Sequence, residues 1–135
     1  MVFDILFSDP DVYNPDSDAY FNDVIAGTDN TFFPMLRLAT ESDHLSKITP
    51  DQIPGIKRVQ SDDSALPDSK QPIAMVLPHF EAALNSKHLG THNIYPDKDG
   101  IVREYRLWHD ENGWILPSLP LAVASFAPIK PASPL

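Results

Sequence analysis

Apolar residues crowd the first seven positions of the chain. The run VFDILF, residues 2–7, is broken only by Asp4. A run without alternation is the pattern of a central strand covered on both faces, and Ser8-Asp9-Pro10-Asp11 closes it. Residues 16–26, DSDAYFNDVIA, then follow a helical period. Tyr20/Val24 and Phe21/Ile25 lie four apart on one face, Asp16 or Ser17 caps the start, and Gly27 stops the helix. Residues 30–38, NTFFPMLRL, predict a second strand, which Pro34 places at a sheet edge or a bulge. Strand, helix and strand in this order favour a right-handed parallel crossover.

The pattern fades over residues 39–77. Asp, Ser, Lys and Pro dominate, with no sustained period of two or 3.6, so this segment reads as a long irregular surface excursion of the kind that serves as a lid. Pro78 to Leu89 returns to a helical pattern, with Phe80, Ala83 and Leu84 as its buried stripe and Gly90 past its end. Three strands are expected next, over 91–95, 101–109 and 114–116. The signals between them are Asp99-Gly100 and Asn112-Gly113, because Gly tolerates the positive φ of tight hairpin turns. In the middle strand Ile101, Arg103, Tyr105, Leu107 and His109 alternate with Val102, Glu104, Arg106 and Trp108. Neither face is purely apolar, so one of them is expected to bury an arginine. Residues 117–126, PSLPLAVASF, close the pattern as a nearly all-apolar helix. The fold class expected is α/β: one domain with a mixed parallel and antiparallel sheet flanked by helices, ending in antiparallel hairpins and a helix. A strand covered on both faces rarely opens a fold, so the chain is expected to be an excised fragment, with Met1 an added start.

Composition narrows the function. The 135 residues suffice for one substantial core. Nineteen acids, 15 of them Asp, against ten bases give a net charge of −9. Such a surface repels phosphate backbones and argues against a nucleic-acid partner. With no cysteine, disulfides, thiolate zinc sites and a Cys nucleophile are excluded. Residues 2–7 lack the basic flank and the length of a secretory leader. No run approaches the ~20 apolar residues of a membrane span.

Candidate chemistry centres on acids and arginines. Asp4 sits within an apolar strand, and Asp9 and Asp11 lie just past its end, where open α/β sheets bind ligands. A buried Asp needs a partner, and Arg37, Arg103 and Arg106 are available. Asp4, Asp9, Arg37 and Arg103 are therefore the candidate ligand-binding residues, against the alternative of structural caps and ion pairs. Asp97-Lys98-Asp99-Gly100 opens like a calcium loop, but position 108 is Trp where the bidentate Glu belongs, so a hairpin turn is expected. Among the five histidines, His88 and His92 have i, i+4 spacing interrupted by Gly90, and His92 and His109 are placed to face each other across strands. Ser118 stands at a helix start, where capping explains it. No nucleophile elbow and no phosphate-binding Gly loop occurs, which argues against an enzyme. No cofactor or metal is implied.

VFDILFSDPD, the proline-bearing strand after a helix, NIYPDKDGIVREYRL, the Asn-Gly hairpin and ILPSLPLAVASF together resemble the second class of CHASE sensory domains. The resemblance covers residues 1–38 and 78–127, in order, and leaves 39–77 unaligned. It rests on the Asp-rich strand end, the Asp97, Asp99, Gly100, Val102, Arg103 turn and the Pro117-Ser118-Leu119 helix start. It implies an extracytoplasmic input module on the periplasmic or extracellular face of a bacterial inner membrane. Such modules are attached to nucleotide cyclases, histidine kinases or serine/threonine kinases. It also implies an unidentified small-molecule ligand, a homodimer formed through the receptor, and membrane spans following the domain. Family members carry a longer N-terminal part, in line with a fragment. The helix over 117–126 would then be the output element.

Two other readings compete. One is a ligand-free dimerisation or interaction module using the 117–126 helix. The other is a metal-dependent phosphohydrolase in which Asp4, Asp9 and Asp99 hold Mg²⁺; no general base accompanies them.

Overall fold

The computed structural model describes residues 1–58, 71–111 and 113–126. Seven phenylalanines sort into two groups that organise the molecule. Phe3, Phe7, Phe21, Phe33 and Phe80 form one ring cluster, with neighbouring centroids 4.8–6.3 Å apart. Phe32 and Phe126 flank His88 elsewhere. The five-ring cluster pulls together the N-terminal segment, helix α1 (Pro15–Ala26), strand β1 (Phe33–Arg37) and helix α2 (Glu81–Ser86). Met35, Ile53, Ile73, Met75 and Leu89 complete this core.

One three-stranded sheet has the order β3 (Met75–Val76), β1, β4 (Leu89–Thr91). Strand β1 pairs antiparallel with β3 and parallel with β4. The second sheet is antiparallel, in the order β2 (Lys57–Arg58), β6 (Trp114–Pro117), β5 (Trp108–Glu111). Helix α3 (Leu119–Phe126) follows β6. The expected α/β class with a mixed sheet and a C-terminal antiparallel hairpin is what forms. Between β1 and α2 lie two 3₁₀ turns, Thr40–Leu45 and Pro50–Gln52, and strands β2 and β3. Residues 59–70 of the expected excursion, and Asn112 of the second turn, fall outside the described residues.

Several elements differ from the sequence expectation. The opening run is not a buried strand. It makes one isolated parallel bridge, Val2 to Phe32, and leaves Val2 48% and Ile5 61% exposed. Phe3 and Phe7 pack against the core, and β3 occupies the same edge of β1 further along. Pro34 lies in the central strand rather than at an edge. Phe33 and Met35 bond toward β4, so position 34 faces the other side. There Phe32 is paired with residues 1–3 and Leu36 with Val76. The missing N–H falls between two partners and costs no ladder bond. In α1 only Phe21 and Ile25 reach the core; Tyr20 is 74% exposed. Helix α2 ends at Lys87, which takes the left-handed conformation (φ 61°), three residues before the expected stop. Gly90 belongs instead to β4, where a methyl group would stand 2.6 Å from Leu119 N. The glycine is there to admit α3. Residues 101–107 form no strand; the expected 101–109 strand shrinks to the β5 hairpin arm.

The two sheets meet at Arg37, whose side chain is 4% exposed. Its Nε donates to Glu111 at 2.7 Å, and its two terminal nitrogens donate to Asp43 at 2.6 and 2.8 Å. The carbonyls of Leu38 and Ala74 accept further bonds. Asp43 also accepts from the Ala74 amide. Asn93 extends the β1–β4 ladder with its side chain, accepting from Arg37 N and donating to Arg37 O. The 101–109 segment buries neither of its arginines, Arg103 and Arg106 both being exposed; the buried arginine is Arg37 of β1. Arg103 is half exposed. Hydrogen bonding to Asp43 raises the Arg37 pKa further, and the same bond holds the Asp43 carboxyl below the usual range. Arg37→Met would strand two carboxylates and cost about 3 kcal/mol, read as a drop in the urea-unfolding free energy.

Candidate ligand pocket against the C-terminal helix

Helix α3 begins where β6 ends. Ser118 is buried; its amide donates to Leu107 O at 2.7 Å, and its Oγ and carbonyl accept from Leu121 N and Ala122 N. The capping role expected of Ser118 is present. Ser118 also bridges in parallel to Thr91, so the last residue before α3 joins the edge of the first sheet. The helix then presents two faces. Leu121, Ala122, Ser125 and Phe126 line one cavity, of about 410 Å³; Leu119, Pro120, Val123 and Ala124 line another, of about 500 Å³.

The first cavity is completed by Phe32, His88 and Leu89 from the β4 side and by Gly55, Lys57, Ile115 and Pro117 from the second sheet. His88 stacks on Phe32 (centroids 4.6 Å apart, 17° between planes) and meets Phe126 edge-on at 4.7 Å. Its Nδ1 lies 3.2 Å from the Thr31 carbonyl, which can only accept, so Nδ1 carries the proton and Nε2 remains uncommitted. Lys57 and Lys87 are exposed at the rim, and neither has a carboxylate partner among the described residues. Gly55 sets their spacing. A Cβ there would lie 2.6 Å from Lys87 O, so only a glycine lets the β2 approach lie flat against the Lys87 turn. The second cavity is apolar, with Asp4, His92, Val2 and Tyr105 along it.

The four residues singled out in the sequence make separate contacts. Asp4 is exposed and lies 3.1 Å from His92 Nε2. Asp9 is exposed and accepts from Ser8 Oγ. Arg37 is occupied by Asp43 and Glu111. Arg103 pairs with Asp97 at 2.9 Å and Asp99 at 2.7 Å, lowering the Asp99 pKa. The bonds Gly100 N to Asp97 O and Asp97 N to Ile101 O, with Gly100 at φ +80°, make the DKDG segment the expected turn. Arg106 lies 4.6 Å over the Tyr95 ring. His92 and His109 have different partners, Asp4 and Tyr95 respectively. Among the described residues no three His, Asp or Glu side chains converge as a metal site. The pocket residues escaped the sequence reading because Lys57 fell in the aperiodic stretch. The sequence signal was the Lys87-His88 pair, basic residues in a chain poor in them.

A family model for the CHASE2 domain matches residues 1–133. The chain belongs to the CHASE2 domain family, a family of extracytoplasmic sensor domains rather than catalytic ones. The match includes residues 39–77, which the resemblance had left unaligned. Comparison with curated proteins and with solved structures finds no match.

One buried group outside the pocket is sensitive to pH. His109 is 7% exposed, its Nε2 lies 2.7 Å from Tyr95 Oη, and its Nδ1 has no hydrogen-bond partner. In the charged ring Nδ1 carries a buried N–H with nothing to accept it. Burial, aided by the charges of Arg106 and Arg37 and opposed by Glu111, pushes the pKa below its ordinary 6.5. A base with a lowered folded pKa stabilises the fold above its unfolded pKa, and that stability is lost as pH falls below about 6.5. His109→Phe should flatten this part of the profile, measured as urea midpoints at about pH 7.5 and about pH 5.5. An unchanged slope would assign the titration elsewhere.

Proposed function

We propose that this domain is the ligand-sensing input of a membrane-bound bacterial signalling receptor, a nucleotide cyclase or a sensor kinase. It stands on the periplasmic or extracellular side and passes its state through membrane spans that follow. The observation that carries this reading is the cavity of about 410 Å³ shared between the sheets and α3. Its size is that of a small-molecule site. A ligand there touches the fixed frame (Phe32, Leu89, Ile115) and the helix (Leu121, Ala122, Phe126) at once. Differential contact of that kind is what shifts a receptor between two arrangements. In this reading the receptor is a homodimer, and α3 is the output element.

The test is a thermal-shift screen of the chain against metabolites, nucleotides, amino acids, sugars and metal ions. A ligand at ~100 times its Kd adds about 2.7 kcal/mol, and the binder is expected to lose its effect in Ser125→Trp, which fills the cavity.

The apolar groove lined by Val2, Leu119, Pro120, Val123 and Ala124 favours a second reading, an interaction module without a ligand. It predicts concentration-dependent association, abolished by Val123→Asp in sedimentation velocity. A blank screen together with that association would select it.

A further inference from the structure

The sensing reading leaves the ligand's chemistry open, and the pocket walls define it. Along one wall Phe32, His88 and Phe126 form a continuous aromatic surface, the first two rings nearly parallel. Leu89, Ile115 and Leu121 extend it with aliphatic surface. Two exposed ammonium groups, Lys57 and Lys87, line the same cavity, contributed by different segments that meet where Gly55 lies against the Lys87 backbone. Among the described residues no carboxylate lines this cavity, although the chain carries 19 acids against ten bases. In so acidic a molecule, two cations lining a cavity that has no acid among its described residues make a local inversion of the field. That inversion repels cations and draws anions inward.

Resting on the reading of the cavity as the sensing site, we infer that its ligand is a small organic anion with a flat apolar body, an aromatic carboxylate in chemical class. The body lies against Phe32, His88 and Phe126, and the carboxylate accepts from Lys57 and Lys87 at the mouth. The arrangement divides the work. Stacking and apolar contact supply burial, and the charge-assisted bonds at the rim fix orientation and select for the anion. A phosphate-rich ligand fits less well, because two cations stand against a lining that is otherwise mostly apolar or aromatic. Phe126 and Leu121 make the ligand's body a contact of α3, whereas the carboxylate is held by residues outside α3. The polarity of the ligand is therefore aligned with the frame-to-helix direction of the signal.

Three matched probes test the inference on the full chain by two-dimensional NMR titration: 3-phenylpropionate, 3-phenyl-1-propanol and 3-phenylpropylamine. The expected result is saturable shifts at Lys57, Lys87, His88 and Phe126 with the propionate. Affinity should be about tenfold lower for the alcohol, a loss on the scale of one charge-assisted bond, and lower still for the amine. Lys57→Met and Lys87→Met should each erase most of the preference for the acid, whereas Ser125→Trp should remove binding of every probe. If the alcohol or amine binds at these residues as tightly as the acid, the anion class is overturned while the sensing site stands. Acid binding that survives both lysine substitutions also overturns it. The absence of any saturable shift at about 10 mM probe, ten times the ~1 mM Kd of a weak fragment, overturns it as well. The sensing reading is then decided separately by the metabolite screen.

Discussion

One guanidinium fastens the two sheets to each other. Arg37 reaches from β1 to Asp43 in the first 3₁₀ turn and to Glu111 in β5, and its remaining protons go to main-chain carbonyls. Desolvating three charges is costly, and an apolar trio of the same volume is often as stable. What the ionic junction adds is direction. Two carboxylates on a planar fork fix the angle of approach in a way that aliphatic contact does not. Everything C-terminal inherits that angle. Glu111 sets the β5–β6 hairpin, β6 runs into Ser118, and Ser118 bridges to Thr91 and starts α3. The helix then lies close enough to β4 that position 90 has no room for a side chain.

The same junction explains how the few bases of the chain are distributed. Arg37 is consumed by the sheet interface, Arg103 by its own turn, and Arg106 by the Tyr95 ring. Arginine suits these places because its fork binds carboxylates bidentately and stacks on rings. Lysine, a hydrated point charge on a flexible stem, occupies the pocket rim instead. Such a residue meets an incoming charge from solvent without having to leave a partner, so the rim is available at low cost.

How much of this was legible depended on whether the signal was local. Helix α1, the DKDG turn, the C-terminal hairpin and the Ser118 cap follow from spacing and turn chemistry within a dozen residues, and they formed. The opening run misled because continuous apolarity does not distinguish a buried strand from a strap that buries two of its residues. Phe3 and Phe7 carry that strap, and only the aromatic cluster, assembled from four separate segments, reveals it. Pro34 misled for a related reason. A proline is excluded from a ladder position only if a neighbour needs its N–H, and whether one does depends on where residues 1–3 and β3 end. The candidate ligand residues were chosen for charge near a strand end. Arg37 and Arg103 proved to have carboxylate partners, Asp43 and Glu111 for one and Asp97 and Asp99 for the other. Lys57 and Lys87, thirty residues apart, become neighbours only through Gly55, a contact that no period in the sequence encodes.

The position of α3 follows from how little holds it. A helix of eight residues has no stability of its own in water, so its place is set by the Ser118 cap, the seam at Gly90 and the ring contacts of Phe126. Leu119 is its one buried residue. Both flanks border cavities rather than packed core. The first turn is anchored by the Ser118 cap and the Gly90 seam, whereas the last described turn is held by the ring contacts of Phe126. Phe126 is also the α3 residue in ring contact with His88 and Phe32. Occupation of the cavity, under the sensing reading, acts on those ring contacts, where a contact worth about 1 kcal/mol changes a two-state ratio roughly fivefold. Under the sensing reading, loose packing around α3 is what allows so small a domain to register a small ligand. The rigid Arg37 junction supplies the frame against which the movement is measured.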